Sequence, residues 1–422
     1  MDEWIEEVFM NKQMILERTN LFEPNVYIGV YVELDGNPST ELMKGAIQKA
    51  FQKNELTMSK IVLDKTGQAY YQKLEQSGCK VIITESDWKS IIAENEKQPF
   101  DIKCGELMRV FVKENGKFFL MAHHLVGDGR SIITLLQDAL TILEKNEILY
   151  KPANILTKEF LQTKTKLSFF TRKYIGYLNK VWENEMHHYS WEDYDAIHKR
   201  YWDGHVSNIL THTFNQKETE HIKKMAKVFH VTVNSYLISM ILCVRKDFNV
   251  VGIPVDIRED DNSMSNQVSG IAINTKHIKR KKIKENTKVI HAKTQKMLNS
   301  SIQKYYVLLF MSELYPTLID AVLLAAHGQT SSKRAEKLAY TLGYKGVKKR
   351  DLGVSNLGVI EMQTEYGNYK VNNLIFIPPS ISYTHNIIGV STVNEKLTIT
   401  YHGMKCNEEN GWFNELICML SK

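Results

Sequence analysis

Seven consecutive residues carry the clearest chemistry in the chain: His123, His124, Leu125, Val126, Gly127, Asp128 and Gly129. They follow Phe118 to Ala122, which reads as a buried strand, and precede an amphipathic run from about Ser131 to Leu143, which reads as a helix. An imidazole at a strand end, with glycines and a carboxylate in the turn after it, suits general-base work. The flanking elements hold the ring rigidly while the turn leaves it facing a cavity. A neutral imidazole, with an unperturbed pKa of ~6.5, accepts a proton at pH 7. Two histidines and an aspartate also suggest metal ligands. Neighbours on a strand point to opposite faces, however, so His123 and His124 do not readily share one ion. No H-x-E or C-x-x-C pattern accompanies them, and no metal site is expected. Gly127 and Gly129 are expected to take backbone conformations closed to other residues.

The spacing His-His-x-x-x-Asp-Gly resembles the signature of the superfamily that includes chloramphenicol acetyltransferase, peptide-synthetase condensation domains, and stand-alone alcohol and polyketide acyltransferases. Other stretches resemble it more loosely. Pro99-Phe100-Asp101 with Leu107-Met108-Arg109-Val110 matches the approach to the active-site strand. Val251 to Arg258 matches a second-lobe strand ending in an arginine, and Leu352 to Gly358 a loop at the tunnel floor. The resemblance covers nearly the whole chain. It implies an α/β (α+β) fold of two lobes, each a mixed β-sheet flanked by helices, with an active-site tunnel at their interface.

The resemblance also implies a reaction: transfer of an acyl group from a thioester, either acyl-coenzyme A or an acyl or peptidyl carrier protein, to a hydroxyl or amine. A thioester is already activated, so a base for the nucleophile's proton and donors for the oxyanion suffice. The second histidine, His124, takes the base role, with Asp128 and Gly129 completing the catalytic motif and His123 in support. Asp128 lies four residues from His124, which suggests a triad. In the superfamily the aspartate instead turns away and pairs with an arginine. Arg258 is the expected partner and Arg109 the alternative. The Gly129 N–H is a candidate oxyanion donor. Ser355 or Asn356 could give a further oxyanion or substrate contact, or could simply cap a turn.

No permanently bound cofactor is implied; the coenzyme A or phosphopantetheine thioester is a co-substrate. Only Gly411-Trp412 corresponds to the Asp-Phe-Gly-Trp-Gly segment of the plant acyltransferases, which speaks against that branch. No carrier domain follows the second lobe, which favours a free-standing enzyme. The rival readings are a condensation domain forming amide bonds between carrier-bound substrates, and a non-catalytic relative that binds a carrier or ligand.

These residues need a sizeable scaffold. At 422 residues the chain suggests two lobes, set at 1–175 and 176–422. No apolar run approaches the roughly 18–20 residues of a membrane span. The acidic start, Met1-Asp2-Glu3-Trp4, does not read as a signal peptide, so a cytoplasmic location is expected. The cysteines Cys79, Cys104, Cys243, Cys406 and Cys418 are scattered and are expected to be reduced. The net charge of +6 is modest. Basic clusters at Lys276 to Lys284 and Lys345 to Arg350 read first as solvated faces. A sharper reading sets one of them at the tunnel mouth, facing phosphates of coenzyme A or a carrier arm. They lack interleaved aromatics, and nucleic-acid binding is not expected.

Met1 to Thr19 reads as an amphipathic helix, Val26 to Leu34 as a strand, and Thr40 to Phe51 as a helix capped by Ser39 or Thr40. Leu107 to Val112 and Lys117 to Ala122 read as a hairpin turning at Asn115-Gly116, which delivers His124. Asn146 to about Asp203 is polar, aromatic and helical in pattern, a crossover between lobes, and its His187-His188 pair reads as structural or surface. Asn266 to Thr275 reads as a strand or extended bridge. Leu374 to Ile381, Ile387 to Thr392 and Leu397 to His402 read as closing strands.

Overall fold

The run Lys117–His123 is buried at every position but its first, because it lies inside a sheet rather than at its edge. In the computed structural model, which describes residues 12–185, 187–259, 264–278, 280–326, 328–330, 332–346, 350–381, 384–404 and 411–422, the strands are β1 (Lys12–Gln13), β2 (Tyr27–Asp35), β3 (Ser59–Leu63), β4 (Ala69–Lys73), β5 (Lys80–Ile83), β6 (Met108–Lys113), β7 (Lys117–His123), β8 (Ser207–Thr213), β9 (Val250–Asp256), β10 (Val268–Asn274), β11 (Leu352–Val359), β12 (Glu365–Tyr366), β13 (Tyr369–Ile377), β14 (Asn386–Val393) and β15 (Lys396–Met404). One six-stranded sheet runs β12-β13-β2-β7-β6-β5 and a second runs β10-β9-β11-β14-β15-β8. A small sheet, β1-β4-β3, completes the set. Both large sheets are mixed: β5 is parallel to β6 in the first, and β11 is parallel to both β9 and β14 in the second.

The β6–β7 hairpin turns at Asn115 and Gly116, both at positive φ (62° and 68°), the backbone that the Asn-Gly pair favours. Antiparallel pairing of β2 with β7 brings Tyr27 opposite His123. The helix Thr40–Lys53 packs its Met43, Ala46, Ile47, Ala50 and Phe51 stripe inward, and the Ser39 side chain accepts from the Leu42 N–H at its start. It lies against the helix Gly129–Lys145, whose buried face includes Ile132, Leu135, Leu136, Ala139 and Leu140.

Several expectations are corrected. The N-terminal helix fails over its described part: Lys12–Gln13 pairs with Tyr71 and Tyr70 as a strand, and only Glu17–Asn20 forms a 3-10 turn. Residues 1–11 lie outside the described residues. Leu352 to Gly358 is not a loop. It belongs to β11, which sits inside the second sheet between β9 and β14. A single cut at 175/176 does not separate the two sheets. The helix Phe169–Trp182 runs across it, and β12–β13 return from the C-terminal half to extend the first sheet alongside β2. The physical reason is edge cover: β13 buries Val371, Leu374, Phe376 and Ile377 and leaves no long β2 edge open. The helices Ser301–Ser312, Pro316–Ala326 and Lys333–Leu342 also pack into the first lobe's core.

Cys79, Cys104, Cys243 and Cys418 are free thiols, and Cys406 lies outside the described residues. His187 and His188 are exposed. No single described helix is long and apolar enough to cross a membrane.

Candidate active site

β7 ends where its last backbone bonds diverge. The His123 N–H donates to Leu107 O, just before β6, and the His124 N–H donates to Val26 O, just before β2. The chain then makes a short 3-10 turn, His124–Val126, before the helix at Gly129. The Leu125 carbonyl is held by the Tyr71 hydroxyl at 2.7 Å. Gly127 sits at φ 149°, ψ −177°, and a Cβ there would lie 2.5 Å from Ser131 Cβ, so both backbone and space demand glycine. Gly129 has no positive φ. Its need is steric: a Cβ would meet Leu357 at 3.0 Å and the Phe376 ring at 3.2 Å. That corrects the conformational reading of the second glycine.

The two histidines part as strand neighbours must. His123 turns inward, packs edge-on against Phe100 at 5.5 Å between ring centroids, and accepts from the Leu125 N–H at its Nδ1. Burial, and then its positive neighbours, push its pKa down to about 3, so the ring is neutral. His124 faces a cavity of about 240 Å³ between the lobes. The first lobe gives this cavity Leu16 and Asn20, and the second gives it Gly252 and Ile253. Burial lowers the His124 pKa below its usual 6.5, and the Asp128 charge opposes that fall.

Asn266 fixes the His124 ring. Its Nδ2 donates to the His124 backbone carbonyl at 2.5 Å, which turns its Oδ1 toward His124 Nδ1 at 2.7 Å. An amide oxygen only accepts, so Nδ1 carries the proton and Nε2 carries the lone pair. This is the tautomer a general base needs. Sequence reasoning placed Asn266 only at the start of a strand; β10 begins two residues later, at Val268.

Asp128, 2 % exposed, caps the helix by accepting from the Ser131 N–H at 3.1 Å. Both of its oxygens also accept from Arg258 Nη2, at 2.8 and 2.7 Å, and the second takes the Gln267 N–H at 3.0 Å. Arg258 lies just past the end of β9 and also reaches Asp256 at 3.1 Å and the Ser265 carbonyl at 3.0 Å. Arg109, the alternative partner, is committed elsewhere. It pairs with Glu106, donates to the Pro99 carbonyl at 2.7 Å, and stacks on Phe100. With Nδ1 of His124 held by Asn266 and both Asp128 oxygens taken, the aspartate does not act as the third member of a triad.

The segment after Arg258 is pinned to the turn. The Ser131 hydroxyl donates to Ser265 O at 2.7 Å and receives the Ser265 N–H at 3.1 Å. Asp128 therefore holds both residues that flank Asn266: Gln267 directly and Ser265 through Ser131 and Arg258. The other sequence candidates lie apart. Asn356 spends its amide on Asn234 and the Gly358 N–H, and Ser355 sits opposite Gly389 in the β11–β14 ladder. Gly353, earlier on β11, lines the His124 cavity; Ser355, Asn356 and Gly129 do not. Arg350, the last residue of a basic cluster, also lines it and makes no ion pair or hydrogen bond with a described residue.

No protein-family profile and no curated protein matches the chain. Solved structures do. Polyketide synthase associated protein 5 from Mycobacterium tuberculosis superposes with a TM-score of 0.65 at 12% identity, over 98% of this chain and 97% of that one. The first condensation domain of the CDA synthetase gives 0.63 at 12% identity, over 96% and 92%. The TRI3 trichothecene 15-O-acetyltransferase from Fusarium sporotrichioides gives 0.63 at 12% identity, over 97% and 95%. The two mixed sheets, the interface cavity and these superpositions together show that the chain has the two-lobed fold of these condensation-domain and acetyltransferase structures.

Proposed function

We propose that the protein is an acyltransferase that moves an acyl group from a thioester to a hydroxyl or amine, with His124 as the general base. The observation that carries this reading is the Asn266 clamp, which sets a neutral imidazole on the wall of an interlobe cavity with Nε2 as its basic nitrogen. Nε2 takes the acceptor's proton as its oxygen or nitrogen attacks the thioester carbonyl. The tetrahedral oxyanion collapses, the C–S bond breaks, and the imidazolium returns the proton to the departing thiolate. Asp128 and Arg258 are positioning residues in this scheme: they hold the segment that holds Asn266.

Arg350 supports a donor with an anionic arm. A guanidinium beside Tyr344, with no ion pair or hydrogen bond to a described residue, suits a phosphate of coenzyme A or of a carrier's phosphopantetheine. The test is thiol release from acyl-coenzyme A and acyl-carrier thioesters, with a panel of alcohols and amines as acceptors. Turnover that collapses by roughly 10²–10⁴-fold in His124→Ala, with folding intact, supports the proposal. Full activity in that variant refutes the role of His124. Tight carrier binding with no turnover on any thioester would instead make the protein a non-catalytic relative.

A further inference from the structure

The helix Phe169–Trp182 has two apolar faces, and only one is used. Ile175, Leu178 and Trp182 are buried, and the Trp182 indole donates to the Thr317 hydroxyl at 2.9 Å. A second, solvent-facing side of the helix carries Phe170, Tyr174 and Tyr177, which share a stripe because residues three and four apart lie over one another. Phe170 is 81% exposed, Tyr177 60% and Tyr174 40%, and Phe169 at the first turn is 58% exposed. Scattered single apolar residues on a surface need no explanation, but four aromatics on one short helix form a patch.

Along the helix itself the charges have one sign, with the acidic Glu183 just after it and Glu159 on the helix before it. From Phe160 to Trp182 the chain holds no Asp or Glu, and it holds Lys164, Lys166, Arg172, Lys173 and Lys180. Lys164 is spent on Glu259. Lys166, Arg172, Lys173 and Lys180 make no ion pair with a described residue, and Lys173 lies over the Phe169 ring at 4.6 Å. Aromatic rings with an apolar body, flanked by basic groups on long stems, are the chemistry of a lipid headgroup boundary. The rings enter the boundary and the cations meet anionic lipid. A protein partner would need a matching apolar surface with acidic groups at each of these cations, and the single sign of charge favours the diffuse negative surface of a bilayer.

The helix that carries the patch packs against a helix that lines the cavity. The Thr171 hydroxyl is 2.7 Å from the Tyr306 hydroxyl on the helix Ser301–Ser312, and Val307, Leu308 and Met311 of that helix line the His124 cavity. Val307 is itself 43% exposed.

We propose that the outer face of the helix Phe169–Trp182 docks on an anionic membrane surface, with its aromatics in the headgroup boundary and Lys173 and Lys180 on acidic lipid. A corollary, which rests on the acyl-transfer reading, is that one substrate is a lipophilic molecule drawn from that membrane. Docking itself does not depend on that reading.

The test uses the full chain and co-sedimentation with vesicles of phosphatidylcholine alone or mixed with phosphatidylglycerol. Binding to the mixed vesicles that weakens as salt rises is expected. Lys173→Glu with Lys180→Glu should lower the partition coefficient on mixed vesicles roughly tenfold or more. Phe170→Ser with Tyr177→Ser should lower it on both compositions. Each side chain is exposed, so melting temperatures should stay unchanged. Wild-type protein that ignores both vesicles overturns the proposal, as do variants that bind as well as wild type. Self-association in light scattering that Phe170→Ser abolishes, without vesicle binding, would assign the patch to a second copy of the chain. Because no turnover is measured, failure here leaves the acyl-transfer reading standing, and loss of that reading leaves docking standing.

Discussion

Replacing Asp128 by alanine should damage both stability and catalysis, through one set of contacts. Asp128 is buried, and the Arg258 side chain is only 10% exposed. Removing one partner of such a pair leaves the other charge poorly compensated, a cost of about 3–5 kcal/mol. Arg258 keeps Asp256 and the Ser265 carbonyl, which pulls the value toward the lower end. Loss of the helix cap adds about 1 kcal/mol, so Asp128→Ala is expected to lose about 4 kcal/mol. Arg258→Ala should lose about 3 kcal/mol. The double variant leaves no orphaned charge and should fall short of the sum by about 2 kcal/mol or more. Urea unfolding followed by tryptophan fluorescence measures all three. Additivity within about 0.5 kcal/mol would show that the pair is not coupled and sink the reasoning. The catalytic half is separate: Asp128→Ala and Asn266→Ala should be non-additive in kcat/KM, because Asp128 reaches His124 only through the segment that carries Asn266. A fully multiplicative loss would put Asp128 at the reacting atoms instead.

Asn266→Ala should lower kcat by roughly 10–100-fold in the thiol-release assay with little change in melting temperature, since it frees the ring to adopt other tautomers and orientations; unchanged kcat would dismiss the clamp. Asn266→Asp places a negative charge beside the Nδ1–H, stabilises the imidazolium and raises the His124 pKa, so the acidic limb of the kcat/KM profile should move to higher pH; a limb that stays put, or moves to lower pH, contradicts the geometry. Acid should destabilise the fold already between pH 7 and 5. His123, His198 and His402 are buried with pKa values pushed down to about 3, 4 and 4, so from pH 7 to 5 the unfolded chain gains protons that the folded chain refuses, a loss of about 2 kcal/mol for each. Glu17, raised by burial to about 7, works the other way by about 2 kcal/mol, because in that interval the folded carboxyl takes up its proton and the unfolded one does not. Stability should therefore fall from pH 7 to 5, the three histidines outweighing Glu17, and urea midpoints that hold or rise over that range would refute it. Gly127→Ala should lose stability in the same assay, because φ 149° and the 2.5 Å approach to Ser131 both oppose a Cβ.

What was legible in the sequence shares a common physical cause. The hairpin, the strand into His124 and the helix after it are set by contacts close to the motif along the chain. Their signals are local: the Asn115-Gly116 turn, the apolar run Phe118 to Ala122, and the Asp128 cap. The segment Lys12 to Asn20 shows the opposite case. It carries a helical pattern, but Lys12–Gln13 gains more by lengthening the β4 edge, and Arg18 is drawn into a buried pair with Asp320, 302 positions away. Tertiary pairing overrides propensity there. Likewise, nothing local in Tyr369–Ile377 tells a strand of the first sheet from a strand of the second, since either neighbour would bury its apolar residues; only the open edge of β2 decides it.

The same distinction explains why the candidate base, His124, could be singled out in the sequence and Asn266 could not. A histidine beside Asp and Gly has a spacing to recognise. Asn266 acts across 142 positions, and its usefulness depends on an amide orientation set by the His124 carbonyl, which has no sequence signature. Asp128 is the link between the two. Had it oriented His124 directly, as its spacing first suggests, the site would be self-contained in one lobe. Because it instead binds Arg258 and Gln267 from the other lobe, the contacts that set the imidazole's tautomer span the interface. On the acyl-transfer proposal, a substrate entering between the lobes meets a base whose ring is held by contacts that cross the interface.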